Sequence, residues 1–103
     1  MGERYQPRIR IYPEFGSDLK REIEEYVKRE LGYSDEDLEN LEVYDLKTLV
    51  AQYEEIIEEM IGSDAWKRLS GYIDVEAMIR DDVISGYLTE FEVRGLKLFL
   101  REA

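Results

Sequence analysis

Apolar and polar residues change their spacing several times along the chain, and each change marks an element. Residues 8–12 read Arg-Ile-Arg-Ile-Tyr, the two-residue alternation of a half-buried strand, and Pro13 to Gly16 then turns the chain. Ser17 stands where an N-cap belongs for a helix whose apolar positions Leu19, Ile23, Tyr26, Val27 and Leu31 recur at helical spacing. Gly32 follows where a left-handed residue closes such a helix. Ser34 and Asp37 have the spacing of a capping box and predict a brief helical turn. Residues 41–45 alternate again and predict a second strand.

From Leu46 onward, Leu46, Leu49, Val50, Tyr53, Ile57, Met60 and Ile61 form one helical stripe, capped by Asp45 or Thr48 and ended by Gly62. Ser63 and Asp64 open a short helix carrying Trp66 and Leu69, with Trp66 expected in the core. After the break at Ser70-Gly71, Asp74 starts another helix with Val75, Met78, Ile79 and Val83 inward and Gly86 at its end. Residues 87–93 and 96–100 are extended stretches joined by Arg94-Gly95, a two-residue hairpin connection. Strand, helix, strand, helices, hairpin predicts a single α+β domain over residues 1–103, with three to four helices covering a small, mainly antiparallel sheet. Its length fits one core and not two.

Composition narrows the chemistry more than it adds to the fold. The chain has no cysteine, which removes disulfides, thiolate nucleophiles and sulfur-ligated metals, and no histidine, which removes the usual proton carrier near neutral pH. The seven glycines stand singly, so no phosphate loop is present. Asp35-x-Asp37-x-Glu39 opens like a calcium loop, but Asn40 holds the sixth place where glycine is needed and Leu46 the twelfth where glutamate belongs. Asp74, Glu76, Asp81 and Asp82 carry oxygen ligands suited to magnesium, yet Asp81 and Asp82 point about 100° apart on a helix, and a solvated face accounts for them better. A glycosidase pair of carboxylates needs a sugar-sized cleft that a domain this small rarely holds. We therefore expect no enzyme activity, no cofactor and no metal.

No apolar run is long enough to cross a membrane, and Met1-Gly2-Glu3-Arg4 lacks the apolar stretch of a signal peptide. Met1-Gly2 opens like a myristoylation site, but Gln6 stands where Ser or Thr is required. A cytoplasmic protein is expected. Asn40 is the only asparagine and Gln6 and Gln52 the only glutamines, a depletion that suits a hyperthermophilic source.

Charge adds the functional clue. Of the net charge of −11, positions 35–64 hold −10, from eleven acidic residues and one lysine, while the rest of the chain is nearly balanced. Such a field repels nucleic acid and anionic membrane and attracts a basic surface. Glu54, Glu55, Glu58 and Glu59 are the densest part. Four carboxylates over six residues, five helical rises, occupy about 7.5 Å of helix axis, or one per ~1.9 Å, against one charge per ~1.7 Å in duplex DNA. The like-charge pairs 54/58, 55/59 and 55/58 each cost about 0.2–0.5 kcal/mol of helix stability, a cost that a surface of interleaved lysines would avoid.

Residues 69–91 read Leu-Ser-Gly-Tyr-Ile-Asp-Val-Glu-Ala-Met-Ile-Arg-Asp-Asp-Val-Ile-Ser-Gly-Tyr-Leu-Thr-Glu-Phe. This stretch resembles the C-terminal segment of the ArdA antirestriction proteins, through Tyr72-Ile73-Asp74, Glu76-Ala77, Arg80-Asp81 and Ser85-Gly86. Upstream, Leu31-Gly32-Tyr33-Ser34-Asp35-Glu36, the acidic patch and Val43-Tyr44-Asp45 are similar to that family's helix, acidic turn and strand in the same order. The resemblance implies a dimeric DNA mimic, encoded by a plasmid, virus or other mobile element, that occupies the DNA-binding groove of type I restriction–modification enzymes. Local chemistry explains some of the same residues, with Asp74 as an N-cap and Arg80 pairing with Glu76.

Two functions follow as expectations. In the first, Asp35, Glu36, Asp37, Glu39, Glu42, Asp45, Glu54, Glu55, Glu58 and Glu59 bind a basic DNA-handling protein or complex in place of phosphates, and a homodimer extends the array. In the second, the chain is an acidic interaction module without mimicry, such as another anti-defence inhibitor or a subunit of a complex, with its hot spot on aromatics such as Tyr5, Tyr33 or Tyr87. The chain itself is expected to bind no nucleic acid and no membrane.

Overall fold

Strand alternation sends Leu41 and Val43 to one side of a sheet and Glu42 and Tyr44 to the other, and helices cover both sides. The computed structural model describes residues 7–103, so Met1, Gly2, Tyr5 and Gln6, each considered above, lie outside the described residues. The order is β1 (Arg10–Ile11), α1 (Ser17–Arg29), α2 (Asp35–Leu38), β2 (Leu41–Asp45), α3 (Leu46–Ile61), α4 (Ser63–Leu69), α5 (Val75–Ser85), β3 (Thr89–Val93) and β4 (Leu96–Glu102). The four strands form one sheet in the order β1-β2-β4-β3. The pairs β2–β4 and β3–β4 are antiparallel, and β1 lies parallel to β2. The fold is α+β with a small, mainly antiparallel sheet, as the spacing predicts.

The sheet divides the interior into two cores. On one side Leu41, Val43, Phe91, Val93, Leu98 and Leu100 pack against Ile23 and Val27 of α1 and Leu38 of α2. On the other, Tyr44, Leu88 and Phe99 pack against Leu49 of α3 and Val75 and Ile79 of α5. Ten core residues are under 2% exposed, Tyr44 and nine aliphatics, and burying each aliphatic side chain contributes about 1.5–3 kcal/mol before entropy is subtracted.

The local signals act as sequence chemistry requires. Ser34 and Asp37 form a reciprocal capping box, Asp45 accepts the Thr48 N–H at 2.9 Å, and Asp74 accepts the Ala77 N–H at 3.0 Å. Arg94 and Gly95 both have positive φ, 54° and 77°, which is the twist a two-residue hairpin connection needs. Gly86 ends α5 in the left-handed conformation.

Five expectations are corrected. Gly16, not Ser17, is the N-cap of α1, and no side chain caps that end. Trp66 is half-buried rather than core, because α4 has no buried residue. Met78 faces outward, 40% exposed, and the far end of the α3 stripe is uncovered, with Met60 78% exposed. The α3 stripe outruns its cover, and only Leu49 of that helix is buried. No ion pair joins Glu76 to Arg80 among the described residues. The molecule measures 49 × 34 × 26 Å with a radius of gyration of 15.5 Å, more extended than the ~13 Å of a compact domain of about this length.

Candidate functional site: an acidic ridge beside an apolar groove

The ten acidic candidates do not form one surface. Strand β2 passes between them, so the α2 turn with Asp35, Glu36, Asp37 and Glu39 packs with α1 on one side of the sheet, and α3 covers the other. Several already have structural partners. Lys28 Nζ lies 2.8 Å from Asp35, and this contact holds the Asp35 carboxyl below the usual carboxylate range and raises the Lys28 amine. Asp37 closes the capping box and Asp45 caps α3. Glu36 and Glu39 are exposed.

Glu42 is not a surface residue at all. It is 8% exposed and sits at the centre of a polar network on the α3 side of the sheet. Arg101, its cross-strand partner, donates to Oε1 at 2.9 and 3.2 Å, and the Tyr44 hydroxyl donates to the same oxygen at 3.1 Å. The Tyr12 hydroxyl donates to Oε2 at 2.9 Å. Gln52 joins from α3, donating to the Tyr44 hydroxyl and accepting from Arg101, both at 3.0 Å. The rings of Tyr12 and Tyr44 stack at 4.6 Å. Burial alone would raise the Glu42 carboxyl, but the bonds from Arg101, Tyr12 and Tyr44 outweigh it and hold the group below its ordinary value. Glu42 is thus withdrawn from the partner-binding set. The signal was in the sequence: within 41–45, Glu42 shares a face with Tyr44.

Glu54, Glu55, Glu58 and Glu59 remain. They occupy the side of α3 opposite Leu49 and Tyr53; Glu54, Glu55 and Glu59 are exposed, and Glu58 is half-buried, accepting from Ser63 Oγ at 3.2 Å. No lysine or arginine among the described residues pairs with any of the four. The last turn of α3 carries no basic residue either. The ridge is therefore a line of uncompensated carboxylates on a helix anchored at its N-terminal half.

Beside that ridge lies a feature the sequence reading missed. Tyr53, Ile56, Ile57, Met60, Met78 and Arg101 line a groove of about 280 Å3 between α3 and α5. Tyr53 ties the helices together by donating to Asp82, and burial together with that bond raises the Tyr53 hydroxyl. The available hint was Ile56, an apolar residue that falls outside the α3 stripe. Of the aromatic hot-spot candidates, Tyr87 is 75% exposed and Tyr33 half-buried; both line a different cavity, at the end of β4.

Among the described residues no helix is long and apolar enough to cross a membrane, and no three acidic side chains are grouped to hold a metal ion. Comparison with family models, curated proteins and solved structures finds no match.

Proposed function

We propose that the protein is a cytoplasmic, non-catalytic inhibitor that docks the carboxylate ridge of α3 into the basic DNA-binding groove of a DNA-handling enzyme, of which a type I restriction–modification enzyme is the leading candidate. The observation that carries this reading is the set Glu54, Glu55, Glu58 and Glu59, held on one outward side of a fixed helix with no basic side chain among the described residues paired with it. Phosphate-like spacing along the helix axis and the resemblance of residues 69–91 to antirestriction proteins support the target class. The acids of α2 belong to a different surface, so four carboxylates, and not ten, carry the contact.

Affinity for such a target falls steeply as salt rises, because the contact is made of exposed charges. The test is DNA cleavage by a purified type I enzyme, titrated with this protein at low and at raised ionic strength. Inhibition that excess duplex DNA relieves, and that is lost when the four glutamates become lysine in a variant that still folds, supports the proposal. Undiminished inhibition by that variant, or no inhibition at any salt, overturns it.

A further inference from the structure

We propose that the groove between α3 and α5 is a docking site for an apolar side chain on a basic segment of the partner, so that the ligand is an amphipathic, lysine- or arginine-rich stretch of protein. The proposal rests on the reading of α3 as the partner-facing helix and names the partner's chemistry. Met60, Ile56 and Met78 are 78%, 44% and 40% exposed, an apolar set that a free surface would not favour. Two of the three are methionines, whose unbranched side chains adapt to an incoming shape.

Charge complementarity selects the occupant. Glu59 is three residues from Ile56 on α3, and Asp81 three residues from Met78 on α5, so an exposed carboxylate flanks the apolar floor on each side. The cation in the lining, Arg101, is committed to Glu42, Tyr44 and Gln52 and offers the groove its aliphatic stem rather than a free charge. Arg80 lies on the other flank of α5, around Ile79 and Phe99. A second copy of this chain would bring its own −11 charge against the ridge, and nucleic acid would bring phosphates. A helix with apolar anchors at i, i+3, i+4 and i+7 and cations elsewhere satisfies floor and rim together.

The probe is a synthetic leucine–lysine peptide with that spacing, compared with the same composition scrambled to abolish its apolar face and with an oligolysine of equal charge. Binding to the full chain is followed through the 13C-methyl signals of Met60 and Met78, at low salt and at about 0.5 M salt, where exposed charge pairs are largely screened. The expected result is that the amphipathic peptide moves both signals and keeps measurable affinity in high salt. Met60→Ser with Met78→Ser then weakens it about tenfold and leaves oligolysine binding unchanged. If oligolysine and the scrambled peptide bind as tightly and the methyl signals stay still, the groove proposal is overturned while the acidic ridge stands. If the amphipathic peptide binds through the methionines but oligolysine does not bind at all, the groove stands and the ridge reading falls. Binding of neither overturns both, and methyl signals that shift with protein concentration alone assign the groove to a second copy and overturn the proposal.

Discussion

Arg101 donates from both Nε and Nη2 to a single carboxylate oxygen of Glu42, at 3.2 and 2.9 Å, across the β2–β4 pair. The pair is mostly shielded, with side-chain exposures of 29% and 11%. Removing one charge leaves the other without its partner, which is worse than removing both. Glu42→Gln is expected to cost about 2–3 kcal/mol at neutral pH, measured by urea unfolding. Adding Arg101→Met should recover at least part of that loss, a coupling that a double-mutant cycle reads directly.

Acid should expose the same relationship. The Glu42 carboxyl in the folded protein lies below its ordinary value of 4.5, so the unfolded chain takes up a proton first as pH falls. Its contribution is therefore full above 4.5 and is lost as pH drops from there through the folded value. The acid limb of a stability–pH curve should be shallower in Glu42→Gln than in the unmodified protein.

At the alkaline end the sign reverses. Burial pushes the Tyr44 hydroxyl up from 10.0 to about 12, against the opposing influence of Gln52 and Arg101, so the folded state favours the protonated phenol. That stabilisation is complete below pH 10 and declines as pH rises from 10 through about 12. A phenolate absorbance titration should show a late step that Tyr44→Phe removes.

The ridge on α3 should trade stability for binding. Glu55→Lys converts the repulsions with Glu58 and Glu59 into attractions and places a cation in the C-terminal half of a helix whose last turn has none. Thermal unfolding should show a gain of about 0.5–1 kcal/mol, while affinity for a basic partner falls. A variant both more stable and equally tight in binding would remove α3 from the proposed contact.

Asp45 serves as a contrast among the predicted binding residues. It is the N-cap of α3, so Asp45→Ala should cost about 1 kcal/mol in unfolding experiments. Because its carboxylate is occupied by the Thr48 N–H, partner affinity should change little.

Much of this was legible without coordinates. Periods of two and of about 3.6 residues located the strands and helices, and caps such as Ser34, Asp45 and Asp74 act through backbone groups only three positions away. Arg94-Gly95 likewise states its own turn. These features depend on neighbours along the chain, and the sequence by itself determined them, together with the absence of sulfur and imidazole chemistry and the concentration of charge in positions 35–64.

Which carboxylates face a partner was a different kind of question. Glu42 and Glu54 are both acids in the same charged stretch, yet Arg101 lies 59 residues from the first and pairs with it only because β4 runs beside β2. Met60 continues an ideal stripe, but burial needs a surface to pack on, and at 78% exposure this end of α3 has little. Only the tertiary structure decided these matters. Strand order sets which face each residue shares with distant ones, and whether an apolar or acidic side chain is spent inside or left for a partner is a property of that arrangement, not of its local spacing.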